Sequence, residues 1–384
     1  MITLPPPTPS AALPGPLETA WLALARTETC ATADRDALHR LLPDISRLVD
    51  RFTTARPDGI APPYLRTTRD ALAYTLYFGP QTYARATQIL HLLPPPVAPS
   101  APTPPPPLRL LSLGSGTGAD LFALLDHFTP LATPPPPLQA TALDHSRAAL
   151  RLLRDVFSTL RPTRWPAATL RTIPSPLPGL DPSAPDAAPL PAATFDLVSL
   201  HYVLNELPPE ARQRVLAAAA RAIAPGGWLI LCDPLLRAEG DWLRPLRAWA
   251  IENLPPLALR LPCPHTTACP LGEPCHSVRS WTIPRTLQIF STALHRDLRR
   301  LDYAFLAFQR PPLSPLPAHA WTLSSAHDLK GRTEVPACLP DATTTLLRIL
   351  HRHCDAPTKK RLRHLDRGTL LLLPADPLPP PSGP

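Results

Sequence analysis

The sequence predicts an α/β protein with a parallel, doubly wound sheet, preceded by a helical N-terminal region and followed by a small β-rich extension. Three observations predict this fold class. Short apolar segments alternate with segments of helical periodicity between residues 108 and 233. A glycine-rich turn joins the first of these strands to the first helix. A proline-rich run separates this region from the helices before it.

Composition and charge limit the function classes. Among the 384 residues there are 59 prolines, mostly clustered, and the formal net charge is +8. A basic excess of this size permits binding to nucleic acid without establishing it. The sequence shows neither an apolar run long enough to cross a membrane nor a secretory signal pattern. We therefore expect a cytoplasmic monomer with no membrane partner, whose 7 cysteines stay reduced.

The first predicted domain, residues 1–93, is helical because apolar residues recur at helical spacing. Its predicted helices are Leu17–Ala31, Asp36–Phe52, Arg69–Phe78 and Gln81–Leu93. Pro80 separates the last two, since a proline inside a helix removes a backbone hydrogen bond. Residues 94–107 form a predicted semi-rigid linker of the polyproline type.

The second predicted domain, residues 108–310, alternates strand and helix. Its predicted strands are Leu108–Leu113, Leu138–Leu143, Phe195–Leu200, Gly227–Cys232 and Asp302–Gln309. Its predicted helices are Ala119–Phe128, Arg147–Leu160, Pro209–Ile223 and Trp242–Leu254. Residues 173–193 form a predicted Pro- and Ala-rich insertion. The extension, residues 311–373, holds short strands and a basic run, and we expect residues 374–384 to be disordered.

The turn after the first strand is the predicted cofactor site. Glycines in such a turn bring bare backbone against a ligand, and the amides of a helix N-terminus favour a carboxylate or phosphate. Asp144 ends the second strand, where an acid accepts hydrogen bonds from ribose hydroxyls. A surface helix cap is the alternative interpretation of this residue. The predicted cofactor-binding residues are Gly114, Ser115, Gly116, Gly118, Asp144 and His201.

Four segments in order resemble the motifs of class I S-adenosylmethionine-dependent methyltransferases. They are residues 110–119, 138–144, 195–207 and 224–233. The resemblance implies a Rossmann-like class I methyltransferase sheet with S-adenosylmethionine as its cofactor, whereas an NAD-type dehydrogenase is expected to differ after the last segment. One departure is Ser112, which stands where the family usually has an acid. This serine weakens the expected polar contact near the methionine end.

A cysteine-rich segment, residues 261–280, is the predicted metal site. Its three cysteines are each separated by five residues, and two histidines lie beside them. These residues are Cys263, His265, Cys269, Cys275 and His276. Zinc sites usually have tighter cysteine pairs, whereas wider spacing suits a larger cubane that needs four thiolates. On spacing alone zinc and iron–sulfur stay equally open, and unrelated cysteines are a third interpretation. Cys338 and Cys354 are candidates for a fourth ligand. Cys30 and Cys232 fit helix and strand cores instead.

The cysteine segment and Arg299–Arg310 together resemble the methyltransferase-like family of the small ribosomal subunit. That family includes a mitochondrial small-subunit assembly protein and bacterial relatives. Further similarity lies in Asp70–Ala84, Val203–Leu207 and Lys330–Asp341. The resemblance implies a [4Fe–4S] cluster held by Cys263, Cys269, Cys275 and Cys338. Cys338 matches the fourth position better than Cys354, and the implied partner is the small ribosomal subunit with its rRNA.

The loop after the Phe195–Leu200 strand holds the candidate catalytic residues, Asn205 and Glu206. N-methylating enzymes frequently grip the base amine here with an Asn/Asp-Pro-Pro-Tyr loop. Asn205–Pro209 has no aromatic residue after it. Glu206 is a candidate general base, or a cap for the next helix. The sequence therefore leaves open whether the chain is an enzyme.

A basic run, His351–Arg367, fits contact with an rRNA backbone or forms a solvated face. Arg279, Arg285 and Arg296 would extend a positive surface if they face the same way. Three functions remain open. The first is a factor in small-subunit assembly and translation that binds S-adenosylmethionine and a [4Fe–4S] cluster. The others are an active rRNA methyltransferase and a small-molecule methyltransferase with structural zinc.

Overall fold

The computed structural model describes most of the chain. The described residues are 2–5, 11–53, 63–94, 106–131, 136–180, 190–234, 242–254 and 256–374. Most of the predicted linker (94–107), nearly all of the predicted tail (374–384) and part of the predicted insertion (173–193) lie outside these residues. Within them the fold is mixed α/β, as the sequence predicts.

Three helices form the N-terminal region: α1 (Gly15–Thr29), α2 (Asp34–Thr53) and α3 (Thr68–Leu90). The prediction of two helices separated at Pro80 is wrong, because α3 continues through this proline. Gln81 Nε2 donates to the Tyr77 carbonyl at 2.9 Å, in the turn where the proline supplies no N–H. Most side chains of α3 are buried, so tertiary packing outweighs the local penalty of the proline.

The central sheet follows the α/β pattern that the sequence predicts. Its strands are β1 (Leu108–Leu113), β2 (Leu138–Asp144), β3 (Ala168–Pro174), β4 (Phe195–His201), β5 (Ile223–Pro234), β6 (Ala258–Leu261), β7 (Ser277–Ser280) and β8 (Arg300–Gln309). The strand order is β3-β2-β1-β4-β5-β8-β6, and β7 also pairs with β8. The first five strands in this order, β3, β2, β1, β4 and β5, are parallel to one another, whereas β8 runs antiparallel to β5. The helices that accompany the sheet are α4 (Ala119–Phe128), α5 (Arg147–Arg164), α6 (Pro209–Ala222), α7 (Leu243–Asn253) and α8 (Arg285–Ala293).

This topology brings the ends of three strands to one edge. β1 lies between β2 and β4, with Leu113 beside Leu143 and Ser112 beside Ser199. In open parallel sheets, ligands bind in the crevice beyond the carboxyl ends of the strands. The glycine turn after β1 and the polar residues that follow β2 and β4 therefore meet at this edge.

Three strands of this sheet, β3, β6 and β7, were not predicted from the sequence. β3 begins at Ala168, before the predicted insertion, and was not predicted as a strand. Only part of its pattern is buried, because β3 is the edge strand of the sheet. Asp302–Gln309 was predicted from alternating polarity, yet all but one residue of that stretch is buried in β8. Alternate residues of this strand enter the two apolar cores on opposite sides of the sheet, Phe305 and Ala307 on one side and Leu306 and Phe308 on the other, so both of its faces are covered.

The C-terminal extension forms a second, smaller sheet, in agreement with the predicted β-rich extension. Its elements are β9 (His319–Thr322), β10 (His327–Leu329), β11 (Arg332–Cys338), β12 (Thr344–Leu350), α9 (Ala356–Leu362) and β13 (Leu370–Leu372). Its strand order is β10-β11-β9-β13, with β12 paired to β11. The bridge between Thr3 and Leu372 attaches the N-terminal segment to this sheet.

Apolar cores cover both faces of the central sheet. One core packs the five helices from α1 to α5 against one face of the sheet. The other packs α6 and α7 against the opposite face. Full burial of one leucine side chain contributes roughly 2 kcal/mol, so these cores stabilise the packing of the helices against the sheet. Within the described ranges, no helix combines the length and the apolar character that a membrane span needs.

Candidate functional site

The glycine turn after β1 is shaped by three glycines with positive φ. These angles are +66° at Gly114, +49° at Gly116 and +82° at Gly118. A Cβ at Gly114 would lie 2.5 Å from a methyl group of Val203, and one at Gly118 would lie 2.4 Å from a methyl group of Leu153. A Cβ at Gly116 would meet only Tyr74 Cε1, at 3.8 Å, among the described atoms. Packing thus requires the outer glycines, whereas Gly116 leaves an open cradle.

Asp144 connects the end of β2 to this turn. Its carboxylate accepts hydrogen bonds from the N–H groups of Gly116 at 2.8 Å and Ser146 at 2.7 Å. Burial raises the pKa of Asp144, and the nearby His145 lowers it. The cap of α5 is Ser146, whose hydroxyl accepts from the Ala149 N–H at 3.1 Å. Asp144 is therefore a buried residue at the crevice and not a surface helix cap.

Asp120 is a buried acid that the sequence analysis missed. Its Oδ2 accepts hydrogen bonds from the hydroxyls of Ser112 at 2.7 Å and Ser199 at 2.6 Å. His201 Nδ1 lies 3.7 Å from the same oxygen. Ser112, which stands where class I methyltransferases usually have an acid, thus contacts an acid in the first turn of α4. An acid two residues after the last glycine, in the favoured first turn of a helix, was the available signal.

Several polar atoms of the turn are buried without a partner. Ser115 Oγ and Thr117 Oγ1 make no hydrogen bond to the residues that the structure describes. The same holds, within those residues, for both ring nitrogens of His201. Burial lowers the pKa of His201 and so favours its neutral ring. Because buried polar atoms nearly always have partners, these groups fit a polar ligand in the turn.

A cavity of about 290 Å³ lies beside the turn. Its walls include Tyr74, Gln81, Arg85, Tyr202, Asn205 and Glu206. Tyr74 borders both the cavity and the Gly116 cradle. The candidate catalytic residues Asn205 and Glu206 therefore face a cavity next to the predicted cofactor site.

Two hydrogen bonds hold the loop that carries Asn205 and Glu206 in position. The Asn205 N–H donates to the Asp233 carboxylate at 3.4 Å, which joins the ends of β4 and β5. The Tyr64 hydroxyl donates to Glu206 Oε1 at 3.0 Å. These bonds hold the Glu206 carboxylate at the cavity wall.

The structure brings together the four cysteines that the resemblance implies as ligands. Burial raises the pKa of Cys275, and neighbouring thiols raise it further: those of Cys263, Cys269 and Cys338. Burial raises the pKa of Cys338 to about 11, and the thiols of Cys263 and Cys269 add to this effect. Across the described ranges, no three His, Cys, Asp or Glu side chains are arranged to hold a single metal ion.

Two further side chains contact this cysteine group. His265 Nε2 lies 3.4 Å from Cys338 Sγ. Arg247, which is only 4% exposed, donates to Cys263 Sγ at 3.2 Å and to the His265 carbonyl at 2.8 Å. Burial raises the pKa of Cys263, and Arg247 opposes this rise because a cation beside a thiol favours the thiolate form. Arg247 was not singled out from the sequence, because no local pattern places an α7 residue beside the cysteine segment.

The remaining cysteines lie elsewhere. Cys354 Sγ contacts the Leu350 carbonyl at 3.6 Å and packs against the core of the extension. Cys232 is buried in the central sheet, as predicted. The prediction that Cys30 is a helix-core residue is wrong, because it is exposed in the left-handed cap after α1. The short side chain tolerates this position, where the helix has already ended.

Some of the side chains of the predicted basic surface are bound to other residues of the protein, so only part of this surface can contact a partner. Arg363 is paired with Asp328 at 3.1 Å and Arg367 with Glu273 at 3.2 Å. Arg279 donates to the backbone of Arg367 and Gly368, so it fastens the extension to the central sheet. The exposed basic side chains of these segments are Arg285, Arg296, Arg352, His353, Lys360, Arg363 and His364.

Comparison with known families gives one match within the sheet. Residues 111–229 match the family model described as methyltransferase domain. The chain contains a methyltransferase domain. The matched segment runs from the glycine turn to β5 and includes the crevice residues described above. No curated protein sequence matches the chain significantly.

Solved structures of methyltransferases are similar to this chain at low identity and low TM-score. A SAM-dependent methyltransferase from Aquifex aeolicus is 16% identical, with a TM-score of 0.29, over 40% of this chain and 73% of that one. An arsenic(III) S-adenosylmethionine methyltransferase from Chlamydomonas reinhardtii is 17% identical, with a TM-score of 0.32, over 63% and 78%. A chain from the complex of the Haloferax volcanii Trm112 methyltransferase activator with a putative methyltransferase is 18% identical, with a TM-score of 0.23, over 33% and 44%. The protein thus spans less than half of that last chain, and likenesses of this size carry no information on substrate or partner.

Proposed function

We propose that the crevice at the ends of β1, β2 and β4 binds S-adenosylmethionine. The observation that carries this proposal is the open cradle at Gly116, bordered by the buried hydroxyls of Ser115 and Thr117. In this proposal Asp144, which already accepts a hydrogen bond from the Gly116 N–H, also accepts from ribose hydroxyls, and Asp120, bonded to Ser112, is the acid on the methionine side. When bound, this cofactor supplies a methyl group activated on a sulfonium.

We further propose that Cys263, Cys269, Cys275 and Cys338 hold a [4Fe–4S] cluster. Four buried or half-buried thiols near one another fit the four thiolates that a cubane needs. A cubane is larger than a single ion, so its ligands stand further apart than those of zinc. Arg247 balances part of the negative charge of such a site. The closeness of His265 to Cys338 favours zinc as the alternative, because zinc accepts mixed Cys and His ligands.

The proposed role is that of a methyltransferase-like factor that acts in assembly and translation of the small ribosomal subunit through rRNA binding. The family resemblance and the exposed basic side chains, among them Arg352 and Lys360, support it. In this role both cofactors stabilise the folded state by binding only to it. The two cofactors then make the amount of folded factor depend on the supply of methyl donor and iron.

An active rRNA methyltransferase is the second candidate function. The cavity between the Gly116 cradle and the Glu206 carboxylate favours it, because a methyl acceptor there would lie beside the donor. Glu206 would then act as general base, and Asn205 would orient the acceptor. A map of rRNA modification with and without the gene separates the two functions. Loss of one methyl group would establish the enzyme, and an unchanged map supports the assembly factor.

The experiment that tests the whole proposal is anaerobic purification of the full chain. Absorbance, metal content and co-purifying RNA are read together from one preparation. We expect a brown protein with iron and sulfide, and an association with the small ribosomal subunit that weakens as salt rises. A colourless protein containing zinc would overturn the cluster. A preparation with no salt-sensitive binding to the subunit would favour the third function, a small-molecule methyltransferase with structural zinc.

A further inference from the structure

The cavity beside the glycine turn has flat aromatic walls. Tyr74 and Tyr202 line it, and its volume of about 290 Å³ lies near the lower limit of roughly 300 Å³ for ligand pockets. Tyr202 has a φ of +62°, which is rare for a bulky residue and costs backbone strain. The Arg85 guanidinium lies 5.2 Å from the centre of the Tyr202 ring. This contact holds the ring in place, so the cavity suits one planar ring system.

Arg85 also supplies a hydrogen-bond donor to the cavity. Its side chain lines the wall, and the residue is 9% exposed. The Nε atom is buried without a hydrogen-bond partner in the part of the chain that the structure describes. An unsatisfied buried donor is costly, and a ligand oxygen or ring nitrogen would satisfy it.

The same cavity presents hydrogen-bond acceptors. Glu206 contributes a carboxylate that the Tyr64 hydroxyl holds in position, and Asn205 contributes an amide. A carboxylate accepts hydrogen bonds from an amino group, and a guanidinium donates them to a carbonyl. The wall is therefore complementary to a flat ring that carries both an amino group and a carbonyl on one edge.

We propose that this cavity binds a single nucleobase with both groups, cytosine or guanine, taken out of the stack of single-stranded RNA. The base lies against Tyr74 and Tyr202, its carbonyl accepts from Arg85, and its amino group donates to Glu206. Adenine lacks the carbonyl and uracil lacks the amino group, so both fit less well. The proposal rests on the proposed rRNA binding and names the base that the site selects.

The mouth of the cavity fits the phosphate of such a nucleotide. Arg296 is exposed at this mouth and would contact the phosphate. Asp297 is also at the mouth, but Arg299 holds its carboxylate at 2.9 and 2.8 Å. A phosphate contact fixes position without reading the base, so Arg296 contributes to affinity and not to selectivity.

The test measures binding to the anaerobically purified full chain by titration calorimetry, with S-adenosylhomocysteine present. The ligands are the 5′-monophosphates of cytidine, guanosine, adenosine and uridine, followed by short oligocytidine and oligouridine RNA. We expect cytidine or guanosine monophosphate to bind about tenfold more tightly than the other two, the effect of one good hydrogen bond to a charged group. Tighter binding of oligocytidine than of its monophosphate identifies RNA as the source, whereas equal binding identifies the free nucleotide.

Variants separate selectivity from folding. Arg85→Met and Glu206→Gln should each reduce the preference for cytidine or guanosine monophosphate about tenfold. Arg296→Ala should instead weaken the binding of all four nucleotides equally. The matched controls are the exposed residues in Arg35→Met and Glu252→Gln, which should change nothing. Equal binding of all four nucleotides, or an unchanged preference in both cavity variants, would overturn the proposal.

A separate measurement tests the cofactor proposal independently of the nucleobase proposal. S-Adenosylhomocysteine binding is measured alone for the wild-type chain and for Arg85→Met. We expect similar affinities, since Arg85 contacts the base. If Arg85→Met instead loses S-adenosylhomocysteine binding, the arginine holds the carboxylate of the methyl donor and the nucleobase proposal fails. Absence of S-adenosylhomocysteine binding in the wild-type chain would count against the proposed function itself.

Discussion

The Asp120 carboxylate accepts a hydrogen bond of 2.7 Å from the Ser112 hydroxyl, across the gap between α4 and β1. A second bond of 2.6 Å comes from Ser199 on the neighbouring strand β4. One buried acid thus joins the glycine turn to two strands. Ser112 stands where a methyltransferase usually carries an acid, and its hydroxyl is paired with this acid instead.

Replacing Asp120 with alanine should destabilise the fold by on the order of 3 kcal/mol, since two buried hydroxyls lose their acceptor. Asp120→Asn keeps one acceptor oxygen and should cost less. Urea denaturation measures both losses. The control is Asp155→Ala on the exposed face of α5, which should change the free energy of unfolding by less than about 0.5 kcal/mol. Equal effects of Asp120→Ala and Asp155→Ala would show that the buried network contributes nothing.

Gly116→Ala should lower the affinity for S-adenosylhomocysteine at least tenfold, a change of about 1.4 kcal/mol, because its Cβ would fill the cradle. Its left-handed backbone adds a strain of about 1 kcal/mol. Gly331→Ala is the matched control, since Gly331 has a φ of +82° and nothing within 4 Å of an added Cβ. Calorimetry should find normal binding in Gly331→Ala, with similar losses of thermal stability in both variants. Normal binding in Gly116→Ala would place the cofactor elsewhere.

The stability of the protein should fall as the pH drops from about 6.5 to 4. Burial, and then the nearby His91, lower the pKa of His127 from 6.5 to about 4. A depressed histidine pKa means that the unfolded state takes up the proton first, so the stabilisation present above pH 6.5 is lost towards pH 4. His127→Phe keeps an aromatic ring and should remove about 2 kcal/mol of this loss, a value reduced for the partial exposure of the ring. Urea denaturation at several pH values gives the two curves, and parallel curves would contradict the assignment.

Cys338→Ser should remove most of the iron and the visible absorbance from anaerobically purified protein, because the cluster loses one of four thiolates. Cys354→Ser should keep both, since Cys354 packs in the separate core of the extension. Iron per chain and the absorbance spectrum are the measurements. The opposite pattern would reassign the fourth ligand to Cys354.

Much of the candidate site followed from local sequence. The strand, the glycine turn and the helix from Leu108 to Phe128 are adjacent in the chain, and their pattern alone predicts them. Asp144 was predicted because it ends a strand beside this turn. The break at Pro80 was predicted wrongly, because local propensity does not include the burial that keeps α3 continuous.

Local sequence patterns did not predict contacts between residues that are far apart in the chain. The pairs Ser112–Asp120 and Arg247–Cys263 depend on how helices lie against the sheet. The cavity needs α3, the loop after β4 and the segment around Arg296 at one place.

The α/β class and the position of the glycine turn could be predicted from the amino-acid sequence alone. These follow from periodicity and from the backbone freedom of glycine, which are local properties. The contact of Asp120 with Ser112, the interaction of Cys338 with the thiols of Cys263 and Cys269, and the cavity beside the turn appear only in the folded structure. Side chains far apart in the chain meet only when the burial of apolar surface fixes the packing of the elements that carry them.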